Sequence, residues 1–210
     1  LGWVQKPMMD VTTSTDFGWD VRFVTNQDGC TPGSATPDKP ANAVRLMMFG
    51  DSTTLGRLVP PDQTIHASLM HALAGSGVQL DIVNAAVQAY STDQVLLRME
   101  QLLGRYQPDL VFYGVCDNDF SANALDAFAG YPKPRFVLGD DGTLHEIPPR
   151  PLASIGAFGS GPLKWIQWSA LYRYLQPAIL TLRARAGDWQ QRSLLGTASE
   201  IYWKAAEMDR

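Results

Sequence analysis

Three short blocks carry the residues suited to chemistry: Gly50-Asp51-Ser52, Asn84-Ala85-Ala86 and Asn118-Asp119. Ester cleavage by serine needs a nucleophile, a base and donors aimed at the developing oxyanion. Ser52 offers the nucleophilic hydroxyl. The Asn118 carboxamide is neutral and fixed, which suits an oxyanion donor, and the backbone N–H groups of Ser52 and Ala86 supply the others. Asp51 reads as a loop-stabilising acceptor of backbone N–H bonds. Asn84 reads two ways, as a turn residue that ties loops together or as a lining of the site. Asp119 reads as scaffolding. Each residue also has a plain structural use, because serine caps helices and asparagine forms turns.

The elements that must position these blocks are legible around them. Val44 to Phe49 is a short apolar run that ends at Gly50, the pattern of a buried parallel strand. Val78 to Val83 predicts a second strand and Leu110 to Val115 a third. Between the first two, Ile65, Leu69 and Leu73 make one apolar helix face, with Thr64 as its N-cap and Gly75 as its stop. Between the second and third, Val95, Leu96, Met99, Leu102 and Leu103 predict a helix over 92–104. Alternating strands and helices with right-handed crossovers give an α/β fold with a parallel sheet covered on both faces. All three blocks then lie beyond the C-terminal ends of their strands, at the edge where open α/β sheets bind ligands.

The flanks are less regular. Residues 1–19 show no period and read as irregular. Asp20 to Thr25 alternates and predicts a half-buried edge strand, closed by the turn Asn26-Gln27-Asp28-Gly29. Residues 31–42, rich in proline, form a loop. The expected division is therefore 1–42 as a lead-in with one edge strand, and 43–210 as the main domain. Arg135 to Leu138 and Thr143 to Ile147 around Asp141-Gly142 predict an inserted hairpin within 132–151, a natural wall for a site. A glycine-rich loop with Gly156, Gly159 and Gly161 follows. A helix bearing Trp165, Trp168, Tyr172 and Leu175 comes next, and 198–210 reads as the start of one more helix.

With those residues in place, the chain resembles the SGNH (GDSL-type) hydrolases. Gly50-Asp51-Ser52, Asn84-Ala85-Ala86 and Asn118-Asp119 look like the family's first three sequence blocks, in the right order, over roughly 40–120. The resemblance implies a flavodoxin-like three-layer α/β/α fold and an esterase, lipase or acyltransferase activity. It implies Ser52 as nucleophile and Asn118 in the oxyanion hole, with a small-molecule or glycan ester as substrate and no cofactor or metal. Ala86 stands where the family's second block normally has glycine, and Cys116 stands two residues before Asn118 where the third block has another. The family's last block, Asp-x-x-His, is absent. Of the three histidines, His66 and His71 lie about 140° apart round their helix and share no ligand face, and His145 falls on the hairpin. The missing block, a start at Leu1 rather than Met, an ending inside a helical pattern and only three core strands together read as a C-terminally truncated fragment, close to inactive alone. The competing reading is a binding module that kept the cleft without the chemistry.

Composition narrows the classes. Hydrophobic residues at 45% and charged residues at 18% suit a globular core in one domain. A net charge of −4 gives no basic footprint for nucleic acid. No apolar run approaches the roughly 18 residues of a membrane span. Cys30 and Cys116 are distant in sequence, and Cys116 reads as a small buried residue rather than half of a disulfide. Oligomeric state and compartment stay open in these residues, while the family resemblance implies export or envelope association.

Overall fold

The computed structural model of the protein describes residues 1–15, 18–31, 37–128, 131–149 and 202–204. Strand β1 is Trp3–Gln5, β2 Asp10–Ser14, β3 Asp20–Val24 and β4 Val44–Gly50. Helix α1 is Ser52–Leu55, and after a 3-10 turn at Pro61–Gln63 comes α2, Ile65–Ala72. Then follow β5 Leu80–Asn84, α3 Thr92–Tyr106, β6 Leu110–Gly114 and α4 Asp117–Ala122. Two small hairpins come next, β7 Ala127–Phe128 with β8 Tyr131–Pro132, and β9 Arg135–Leu138 with β10 Leu144–Ile147; β11 is Tyr202–Lys204.

The centre is a three-stranded parallel sheet in the order β5-β4-β6. Numbered along the chain, that is second-first-third, the beginning of the flavodoxin order. The fold is α/β, and its layers follow from the two-residue period of β4. Met47 and Phe49 face one side with Val83, where Val95, Leu102 and Tyr106 of α3 cover them. Leu46 and Met48 face the other side with Ile82, where Leu69 of α2 packs. Each large side chain so buried contributes about 1.5–3 kcal/mol, which makes these two faces the main source of stability. Arg45 and Asp81 are paired in register across β4 and β5 and form a buried ion pair at 2.7 Å. A one-residue slip would separate them and turn the apolar residues to the wrong face.

The helices match their periodicity with local differences. Thr64 caps α2 by accepting the Ala67 N–H, but Ile65 is exposed and Leu73 only half-buried. Alone in this stretch, Leu69 reaches the sheet's core cluster. Helix α3 runs two residues past Gly104 and ends on Gln107 in the left-handed conformation. Leu96, expected on its apolar face, is exposed. Among the described residues β6 is an edge strand, with Leu110, Val111 and Phe112 exposed.

Two expectations for the ends of the chain are corrected. Residues 3–5 and 10–14, read as irregular, are strands. β2 pairs antiparallel with β3, and Arg22 grips Asp10 across the pair with two hydrogen bonds of 2.8 and 2.7 Å. The β-branched Thr12 and Thr13 suit a strand whose pattern is too polar to show a period. Residues 202–204 pair antiparallel with β1 instead of continuing a helix. There an available edge and the β-favouring Tyr202 and Trp203 override a helical spacing. Cys116 is half-buried rather than buried, because the turn after β6 lies at the sheet's rim. The hairpin β9–β10 forms around Asp141-Gly142 as expected, with Gly142 at φ 77. The glycine-rich loop and the aromatic helix fall outside the described residues.

Candidate functional site

The first block sits on a tight strand-to-helix turn. Asp51 is the N-cap of α1; its Oδ1 accepts the Thr53 N–H at 2.9 Å and the Thr53 hydroxyl at 2.6 Å. Asp51 therefore does the capping that a serine would otherwise do, and it is buried while Ser52 is exposed. Among the described residues the Ser52 hydroxyl has no hydrogen-bond partner. Gly50 has φ 150, and a side chain there would press on the Thr54 hydroxyl and the Gly114 carbonyl. Gly114, its register partner in β6, is closed off by the same Thr54 hydroxyl. These two glycines let β4, β6 and α1 meet at close range.

Asn84 ends β5 with its side chain wholly buried. Its Nδ2 donates to the Thr54 carbonyl at 2.9 Å, and its Oδ1 accepts the Ala86 N–H at 3.0 Å. The carbonyl of Asn84 in turn accepts the Thr31 N–H at 2.8 Å. Of its two readings, loop-tying is the one these bonds describe: it joins the serine turn to the loop after β5. Val87 adds a second tie by donating to the Gly50 carbonyl at 3.1 Å. The Ala86 N–H, expected as an oxyanion donor, is thus already bound inside the protein, and Ala86 itself is buried against Leu55, Met9 and Phe23. Three residues on, Ala89 holds the left-handed conformation with φ 62. Among the described residues its N–H meets no acceptor. Sequence reasoning missed this position; the small residue before Tyr90-Ser91, in a loop leading to a helix, was the available signal.

The third block forms α4. Cys116 is its N-cap, and Asp119 at the third helical position accepts the Cys116 N–H through Oδ2 at 3.0 Å. Asp119 is a scaffold in this sense, fully buried, with Oδ1 left without a partner among the described residues. Burial pushes its carboxyl pKa up, and the charges of Asp51, Asp117 and Asp93 push it further, against the Cys116 N–H. Asn118 is half-buried one position earlier, and among the described residues its carboxamide makes no hydrogen bond. Because Gly50 and Gly114 are paired in register in parallel strands, Ser52 and Asn118 leave the sheet at the same rim.

The N-terminal strand backs this rim. Gln5 donates to the Ala86 carbonyl at 2.9 Å, Trp3 donates from its indole to the Gln88 carbonyl at 3.0 Å, and the Tyr90 hydroxyl donates to the Trp3 carbonyl at 2.5 Å. Residues read as a lead-in therefore hold the loop that follows β5. The histidines stand elsewhere. His66 is on α2 with Nε2 at 3.1 Å from the Thr64 hydroxyl, and burial lowers its pKa. His145 is exposed on the β9–β10 hairpin, 2.9 Å from the Thr143 hydroxyl. Among the described residues no three histidine, cysteine or acidic groups are placed to hold a metal ion, and no helix is long and apolar enough to cross a membrane.

Parts of the chain are similar in sequence to known proteins. The chain is similar to an arylesterase from Vibrio mimicus, 31% identical over 75 residues, which is 36% of this chain and 38% of that protein. A solved structure described as the crystal structure of TesA is 29% identical over 36% of this chain and 42% of that one, with a TM-score of 0.34. No family model matches. The chain thus spans less than half the length of these relatives, and its likeness to the arylesterase supports an ester-hydrolase resemblance over about a third of its residues.

Proposed function

We propose that Ser52 is the nucleophile of a serine-dependent ester hydrolase or acyl-transfer site. The observation that carries this is the turn at Asp51: the aspartate does the capping, and Ser52 is exposed, with its hydroxyl unbonded among the described residues, at the sheet rim that Asn118 shares. Ser52 attacks the acyl carbonyl, and the oxyanion is held by the Ser52 N–H and the Asn118 carboxamide. The third donor is the Ala89 N–H rather than that of Ala86, which Asn84 occupies. Gly50, Asp51, Asn84 and Asp119 set the backbone around these groups. The base that takes the Ser52 proton comes from an Asp-x-x-His segment outside these 210 residues, and the 210-residue chain alone is close to inactive. The substrate is a small-molecule or glycan ester, as the similarity to an arylesterase supports.

The test is Ser52→Ala in the complete protein that carries this chain. Turnover of p-nitrophenyl acetate disappears, while stability shifts by less than about 0.5 kcal/mol because the hydroxyl is exposed and, among the described residues, unbonded. Asn118→Ala lowers kcat by about 10²–10³, the usual effect of removing one oxyanion donor. Undiminished turnover by Ser52→Ala refutes the assignment. A second reading, a binding module without the chemistry, is favoured by the missing Asp-x-x-His block; a coding sequence with no such block downstream would select it.

A further inference from the structure

The root of the β9–β10 hairpin holds a lysine that the proposed chemistry does not use. Lys133 lies between β8 and β9, and its side chain is completely buried. Its ammonium has three acceptors: the Asp93 carboxylate through Oδ2, the Ala122 carbonyl at 3.1 Å and the Leu125 carbonyl at 3.3 Å. Asp93 belongs to the first turn of α3, where its Oδ1 also accepts the Gln94 N–H and the Ser91 hydroxyl, both at 2.7 Å. The Asp93 N–H donates to Asn123 Oδ1 at 3.2 Å, a second bond between the same two regions. The Lys133 N–H donates to the Asp126 carbonyl at 3.0 Å.

Burying an ammonium is costly, and burial lowers the Lys133 pKa while Asp93 opposes that shift. A buried apolar residue would give the fold similar stability at less risk. The lysine does something an apolar residue does not: it binds one charge on α3, the carbonyl of the last residue of α4 and the carbonyl of Leu125 in the turn that follows, all at once. The Ala122 carbonyl closes the last turn of α4 and already accepts the Leu125 N–H at 3.0 Å, so the ammonium adds a second donor to the negative end of that helix. The other boundary of the rim is already tied, since Asn84 and Val87 fix the loop after β5 to the serine turn.

We propose that Lys133 is a positioning residue: its ammonium pins the end of α4 to the start of α3, and so sets where Asn118 stands relative to Ser52. This rests on the reading of Ser52 and Asn118 as one site. The hairpin is then a bracket as well as a wall, because its root carries the pin.

The test compares Lys133→Met and the double variant Lys133→Met/Asp93→Asn with wild type in the complete protein. Three quantities are read: p-nitrophenyl acetate kcat and KM, the unfolding midpoint, and amide exchange over 117–126. Lys133→Met lowers kcat about tenfold or more with KM changed less than about twofold, as misplacing a transition-state contact does. It speeds exchange over 117–126 about tenfold, leaving β4 and β5 unchanged. The double variant removes the unpaired buried charge and recovers the midpoint, yet kcat and exchange stay at the single-variant level. Recovery of kcat along with the midpoint would show that the pair only stabilises, and unchanged exchange over 117–126 would show that nothing is pinned. If wild type itself turns over no ester, the reading of the site falls, and the exchange pattern alone decides the pin.

Discussion

Asn84 gives the most direct test of how the rim is built. Asn84→Ala removes two buried hydrogen bonds at once, to the Thr54 carbonyl at 2.9 Å and from the Ala86 N–H at 3.0 Å. Both partners are backbone groups in a buried setting, so each is left without a bond. Orphaning a buried backbone group costs about 1–3 kcal/mol, so the pair costs about 2–6 kcal/mol. For a chain of this size that lowers the melting temperature by about 2–4 °C per kcal/mol. The assay is urea unfolding followed by fluorescence, with thermal unfolding as a check. Asn84→Asp refines the reasoning: the carboxylate still accepts the Ala86 N–H but faces the Thr54 carbonyl with no proton. Folding then favours the protonated carboxyl, whose pKa is raised in the folded state. Its stability is highest in acid, where the O–H donates to Thr54, and is lost as pH rises through the folded pKa. A loss under about 1 kcal/mol for Asn84→Ala would refute the tie, being no more than one ordinary net hydrogen bond.

Two further predictions follow from the same rim. Ala89→Gly relieves a left-handed backbone that costs a residue with a Cβ about 1 kcal/mol, so the variant is as stable as wild type or slightly more so in urea unfolding, where a Gly substitution elsewhere in the loop destabilises. Asp119 has a folded pKa raised above the usual 3.8 by burial and by Asp51, Asp117 and Asp93. Its contribution is complete below the unfolded value and is lost as pH rises through the folded one. Unfolding midpoints measured from pH 4 to 7 therefore fall less steeply with pH in Asp119→Asn than in wild type; equal slopes would contradict the shift.

Much of the centre of this protein was legible in its residues. The run from Leu46 to Phe49 is apolar at consecutive positions because both of its faces are covered, by α3 on one side and α2 on the other. The α3 stripe was readable because a helix packed on a sheet must repeat its apolar residues near every 3.6 positions. Leu96 shows the limit of that reading: it keeps the spacing but lies at the stripe's border and is exposed. Asp51 was readable as a loop acceptor, since a short side chain before a helix has few other places to bond.

The tertiary structure decided the hydrogen bonds that connect distant segments. The sequence determines that Ala86 has an N–H; the position of Asn84 Oδ1 determines that this N–H is occupied, whereas among the described residues the Ala89 N–H meets no acceptor. Three residues at 202–204 become a strand because β1 offers them an edge, and residues 3–5 become a support because the loop after β5 runs beneath Gln5 and Trp3. Periodicity records which face of an element meets the core, a local property of the chain. The partner of a polar group is set by whatever the folded chain brings within about 3 Å of it, and no local pattern encodes that.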